Sequence, residues 1–307
     1  MTEPHQSLVS DKPPFTSLLL VFAVVFIGFV MIGPMIGFML AMLIYEGDFV
    51  GELLKNSPDP KAFYPLMLVQ GVASFIGLVL LPALYIRYVE QKTFAPFFRK
   101  EKNLPLIIGV ICLLGINFVI AISPITEWNT TVEFPESLKA FGDWARAQED
   151  KLAEMTRFLT RFDSFGAFLL GMLVIAVIPA LGEEFVFRGL IQNELWRSGR
   201  NIHLAIWVSA FLFSAIHLQF FGFMPRFLLG ALFGYLYYWS GNLLIPIIAH
   251  FFNNGFSLTL IYLQSLGISN IDMETETAAP LSWAVVCAVA VFALLYFFKR
   301  QYSSPPA

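Results

Sequence analysis

Gly182-Glu183-Glu184-Phe185-Val186-Phe187-Arg188-Gly189 closes an apolar run that begins at Ser164. Two adjacent carboxylates and an arginine thus stand where the chain should still be at membrane depth. Each ionisable group placed in lipid costs roughly 2.5–3.5 kcal/mol on insertion scales, so such residues need partners or a task. On a helix Glu184 and Arg188 are four apart and share a face, with the acid on the favourable N-terminal side. Glu183 is turned by about 100° from Glu184 and has no local partner. One carboxylate is paired and one is free.

The whole chain fits a membrane setting. Hydrophobic residues make up 57% of its 307 residues and charged ones 13%, about half the charged share of a soluble domain. Mean hydropathy is +0.71. The expected fold class is all-α, a polytopic transmembrane helical bundle with an intramembrane site. A net charge of −3 makes no case for nucleic acid as a partner. Cys112 and Cys287, the two cysteines, both fall inside apolar runs and read as small core residues.

Uncharged gaps place the spans. Pro13–Tyr45 is too long for a signal-peptide core and reads as an uncleaved anchor, kinked near Gly33-Pro34. Ala62–Ile86 and Asn103–Thr126 follow, then a fourth span opening at Ser164–Gly182 and a fifth within Asn201–Pro225. Phe227–Ile271 is long enough for two helices divided at Ser240-Gly241-Asn242, and Thr277–Phe298 is the last, about eight spans in all. The sequence divides into 1–163 (three spans plus an amphipathic segment), 164–263 (a four-span core) and 264–307 (a last span and tail). Arg87, Lys92, Arg99, Lys100 and Lys102 after span two, with Lys299 and Arg300 at the end, put both termini in the cytoplasm. Lys55 and Lys61 in the first external loop run against that count. The chain shows no organelle-targeting peptide, and its plain tail suits a bacterial inner (cytoplasmic) membrane.

Between spans three and four, Leu138, Phe141, Ala145, Leu152, Met155, Leu159 and Phe162 recur at helical spacing from Pro135 onward. The favoured reading is an amphipathic helix on the membrane surface; the sharper alternative is a lid that gates substrate.

Three helices can converge on the free carboxylate. Glu183 and His217 are each 17 residues from Arg200, so a hairpin turning at Ser198-Gly199-Arg200-Asn201 brings them to one depth. His250 and Asn254 share a face, and Asn254 lies about 18 Å of rise beyond the turn at Asn242. Phe213, one turn before His217, packs beside it; His203, at a turn, has no assigned role. A desolvated, unpaired carboxylate suits a general base, and a neighbouring histidine can position a water and shuttle its proton. A second histidine and an asparagine can donate to the oxyanion of a tetrahedral intermediate. Together they describe water attack on an acyl carbon, most naturally a peptide bond. The alternative cofactor reading is Zn²⁺ held by Glu183, His217 and His250. The chain lacks the H-E-x-x-H helix that makes zinc a strong signal.

Glu183-Glu184-x-x-x-Arg188, Phe213-x-x-x-His217 and His250-x-x-x-Asn254, in that order, resemble the three motifs of the CPBP (Abi) family. This is the family of the CAAX prenyl endopeptidases and their bacterial relatives. The resemblance covers roughly Ser164–Leu263 and every motif position matches. It implies a membrane-embedded peptidase in which Glu183 and His217 activate water and His250 and Asn254 form the oxyanion hole. Glu184, Arg188 and Phe213 are then supporting residues. The family has been described both as metal-dependent and as metal-independent, so the resemblance leaves zinc open; a metal-free site is favoured because it gives each residue one role. Expected partners are the lipid bilayer and a membrane-associated protein or peptide substrate. The competing class is a catalytically silent scaffold or immunity protein. A transporter using the carboxylates as a relay fits less well with the donors clustered on span seven.

Overall fold

The computed structural model describes residues 10–46, 51, 59–269 and 277–303. All regular structure among them is helical. Nine principal helices follow in order: α1 Pro14–Ile44, α2 Pro60–Val89, α3 Leu104–Thr130, α4 Lys139–Leu159, α5 Phe165–Gly199, α6 Ile202–Ala215, α7 Phe223–Ser240, α8 Leu244–Ser265 and α9 Leu281–Ser303. Six of these, α1, α2, α3, α5, α8 and α9, are long and apolar enough to cross a membrane. Of the remaining two expected spans, α6 is apolar but only 14 residues long, and α7 has 18 residues.

Several boundaries move from the sequence expectation. The fifth span does not run to Pro225: α6 stops at Ala215, and the chain reverses through 216–222 with Leu218 at a left-handed φ of 55°. Pro225 instead sits near the start of α7, where a missing N–H is harmless. The turns at Arg200 (φ 52°) and Gly241 (φ 59°) fall where expected. Pro135 precedes a short 3₁₀ turn, Glu136–Leu138, and is not itself in the helix. Lys55 and the acidic loop Asp272, Glu274 and Glu276 lie outside the described residues.

Gly33-Pro34 does not break α1. The helix widens over Ile27–Ile32 and continues to Ile44. The same device recurs at Phe75–Leu80 before Pro82 and at Met172–Val177 before Pro179. A proline ring crowds the carbonyl four residues back, and an i→i+5 turn just before it makes room.

Small residues let α1 and α2 touch backbone to backbone. A Cβ on Gly33 would meet Ala73 Cα at 2.6 Å and one on Gly28 would meet Gly77 Cα at 2.8 Å. Helix pairs in lipid associate through such close packing because the hydrophobic drive between them is absent. Cys112 and Cys287 are free.

Both described ends of the chain meet the segment after α2. Lys12 pairs with Glu90 at 2.9 Å, and Tyr302 donates to Glu101 at 2.8 Å. They therefore lie on one side of the bundle. At the other side α4 is more than a surface float. Its Phe141 and Trp144 are exposed, suited to the lipid boundary. From the same helix Glu149 accepts from Gln219 Nε2 at 3.2 Å and from the Phe221 amide at 3.1 Å. Arg146 stacks 3.4 Å over the Phe221 ring. Thus α4 is fastened to the 216–222 reversal.

Candidate active site

Helix α5 supplies the carboxylates near its midpoint. Ser164 caps its start, its Oγ accepting from the Ala167 amide at 3.2 Å. Gly182 lets α5 press onto α2, since a Cβ there would lie 2.5 Å from Leu78 Cβ. The following turns are buried on every face, Phe185 through Gln192.

Glu184 and Arg188 form the expected pair, and it is wholly interior. Arg188 Nη1 donates to Glu184 Oε1 at 2.9 Å, and Nη2 donates to the Gly230 carbonyl of α7 at 2.8 Å. The guanidinium also lies 4.6 Å over the Phe213 ring. Charge, hydrogen bonds and ring face together offset the burial of the cation.

His250 of α8 joins the same carboxylate. Its Nδ1 is 2.8 Å from Glu184 Oε1 and its Nε2 is 3.9 Å from Glu183 Oε2. The imidazole stacks on Phe233 and meets Phe213 edge-on, at centroid separations of 5.3 and 6.0 Å. Because Glu184 binds Arg188 as an acceptor, the Nδ1 of His250 must donate to it. Nε2 is thereby turned toward Glu183.

His217 sits just past the end of α6. Its Nδ1 donates to the Phe213 carbonyl at 2.8 Å, leaving Nε2 with the lone pair in the neutral ring. Phe213 contacts both histidines, 5.3 Å from His217 and 6.0 Å from His250 between ring centroids. Asn254 Nδ2 donates to the Ile175 carbonyl of α5 at 3.2 Å, and Asn254 Oδ1 accepts from Asn253 at 3.1 Å. One of its two N–H groups remains for another acceptor.

The structure therefore gathers Glu183, Glu184, Arg188 and His250 by direct contact and adds His217 through Phe213. Asn254 is held to α5 two turns before Glu183. Among the described residues no three His, Cys, Asp or Glu groups come together to hold a metal ion.

Arg226 of α7 escaped the sequence reading. Its Nη2 donates to Gln219 Oε1 at 2.8 Å, while Nη1 is buried with no hydrogen-bond partner among the described residues. Its charge acts on Glu183, His217 and Glu149. The signal was present: Arg226 is the single charged residue between Arg200 and Asp272.

Comparison with known proteins falls on the same part of the chain. The family described as type II CAAX prenyl endopeptidase Rce1-like matches residues 165–256, just under a third of the chain and the segment that holds all three motifs. The membrane-embedded CAAX protease MroQ of Staphylococcus aureus (strain USA300) is 34% identical over 110 residues, covering 34% of this chain and 43% of MroQ. The uncharacterized protein YpbD of Bacillus subtilis (strain 168) is 29% identical over 84 residues, 26% of this chain and 40% of that protein. The chain thus spans about two fifths of the length of these curated relatives. No solved structure matches. Residues 165–256 of this integral membrane chain thus resemble the Rce1-like CAAX prenyl endopeptidases, and the chain is similar over 110 residues to a membrane-embedded CAAX protease.

Proposed function

We propose that the chain is an intramembrane endopeptidase that hydrolyses a peptide bond in a membrane-associated protein or peptide. The observation that carries this reading is the 3.9 Å separation of Glu183 Oε2 and His250 Nε2, with Glu184 fixing the far side of the imidazole. A base and an oxyanion donor serving one carbonyl must stand within a few ångströms of each other, as these two do.

In the proposed sequence Glu183 takes a proton from water as the water attacks the scissile carbonyl carbon. His217, with Nδ1 committed to Phe213, accepts through Nε2 from the same water and orients it. His250 acts as an oxyanion donor in its doubly protonated form, taking the extra proton from solvent before the substrate enters and keeping it through the cycle, and the spare N–H of Asn254 adds a second donor. Collapse of the tetrahedral intermediate expels the amine, which receives from Glu183 the proton first taken from water. Glu184 and Arg188 act through His250 by holding its orientation. Zn²⁺ held by Glu183, His217 and His250 is the alternative reading, and no step is routed through it.

The proposed setting is a bacterial inner membrane with both termini cytoplasmic, an orientation supported by the Lys/Arg bias after α2. The test is turnover of a peptide library by the purified protein with and without a chelator. Cleavage that survives chelation is the expected result. Cleavage removed by chelation and restored by added Zn²⁺, with stoichiometric zinc in the active protein, decides for a metalloprotease.

A further inference from the structure

Among the described residues, two opposite charges near the site lack full satisfaction. Glu183 has His250 at 3.9 Å as its close polar neighbour. Arg226 has one donor on Gln219 and a buried Nη1 with no hydrogen-bond partner among the described residues. Glu149, whose charge also acts on Arg226, already accepts from Gln219 and from the Phe221 amide. A buried donor left unmatched is destabilising unless something else supplies the acceptor.

We propose that Arg226 is a substrate-binding residue that takes a carboxylate of the peptide, beside the candidate active site. The inference rests on the endopeptidase reading for the site's occupant. The chemistry favours a carboxylate over a neutral carbonyl. A guanidinium presents parallel N–H donors that match two carboxylate oxygens, and an ion pair sheltered from water is worth more than an exposed one. Gln219 holds Nη2 and is itself held by Glu149, so α4 steadies the guanidinium through the 216–222 reversal. The carboxylate can be the C-terminus of the peptide or an acidic side chain near the cut, two sources of one chemistry.

The experiment measures binding, so that it stands apart from turnover. Protein carrying Glu183→Gln, in detergent, is titrated with one fluorescein-labelled apolar heptapeptide in three forms: free C-terminus, amidated C-terminus, and amidated with one internal glutamate. At least one carboxylate form should bind about ten- to a hundred-fold more tightly than the neutral form. The form that gains identifies the source. Adding Arg226→Gln should shrink the preference to within about three-fold, leaving affinity for the neutral peptide unchanged, because a charge-assisted bond is then lost from one ligand only. Equal binding of all three peptides by the parent overturns the proposal, as does a preference that survives Arg226→Gln. If Arg226→Gln does not fold, Arg226→Lys decides: a preference reduced at least about three-fold supports a forked contact and an unchanged one overturns it. Cleavage by protein with Glu183 intact is followed in parallel. Failure to cut any peptide counts against the endopeptidase reading and leaves the carboxylate preference standing on its own measurement.

Discussion

Glu184 Oε1 is shared by Arg188 Nη1 at 2.9 Å and His250 Nδ1 at 2.8 Å. One carboxylate oxygen, fully buried, therefore joins the ion pair of α5 to the histidine of α8. The arrangement makes Glu184 a positioning residue for His250 as well as the partner of Arg188. Removing its charge leaves a buried guanidinium uncompensated, which typically costs about 3–5 kcal/mol. Glu184→Gln should lower the melting temperature and reduce kcat in the protein that still folds. The combined Glu184→Gln/Arg188→Met variant should be destabilised by less than the sum of the two single changes, because the pair then leaves together. Additive losses in thermal melts would show that the two side chains are not coupled.

Glu183 stands apart from that ion pair and is the proposed base. Glu183→Gln keeps the size of the side chain and removes its ability to take a proton. The expected outcome is loss of turnover with an unchanged melting temperature and chromatographic profile. Wild-type turnover in a properly folded Glu183→Gln protein would show that another group is the base.

Asn254 is a candidate oxyanion donor with one N–H already given to Ile175. Losing one such donor typically costs about 2.7–4 kcal/mol in the barrier, or 10²–10³-fold in kcat. Asn254→Ala should leave slow, measurable turnover with KM roughly kept, because the interaction is made in the transition state. A raised KM at unchanged kcat would place Asn254 in substrate binding instead.

The motif residues were legible because lipid makes polar groups conspicuous. Glu183 with Glu184 and Arg188, His217, and His250 with Asn254 each interrupt an apolar run, and the i,i+4 rule alone paired Glu184 with Arg188. The end of α6 was not legible. Hydropathy records that 201–225 is uncharged, and it cannot register that Leu218 adopts a left-handed backbone or that helix resumes at Phe223. The contact of His250 with Glu184 was missed for a related reason. Spacing fixes which residues share a face on one helix, whereas the rotation of α8 against α5 is set by packing of Phe233 and Phe213 around the imidazole. Arg226 was visible as a lone charge, and its role depends on Gln219 and Glu149, which reach it from other elements.

Far from the candidate site, Glu90 ties the first described residues to the end of α2. It accepts from Ser10 Oγ at 2.7 Å, from Lys12 Nζ at 2.9 Å and from the Tyr85 hydroxyl. Burial alone would push its carboxyl up, and the hydrogen bonds from Tyr85, Ser10 and Lys12 with the Lys12 charge outweigh it, holding the group below its ordinary value of 4.5. A carboxyl whose folded pKa lies below its unfolded one contributes stability above the unfolded value. It loses that contribution as pH falls through the folded one. The melting temperature in detergent should therefore be insensitive to this group between pH 7 and about 5 and should decline below about 4.5. Glu90→Gln should melt lower at neutral pH, because the Lys12 ammonium loses its anion, and should show a shallower acid decline. Hydrogen exchange at Ser10–Lys12 should speed up in the same variant, since this anchor is local. An acid limb of the same depth in parent and variant would assign the pH dependence to other carboxylates.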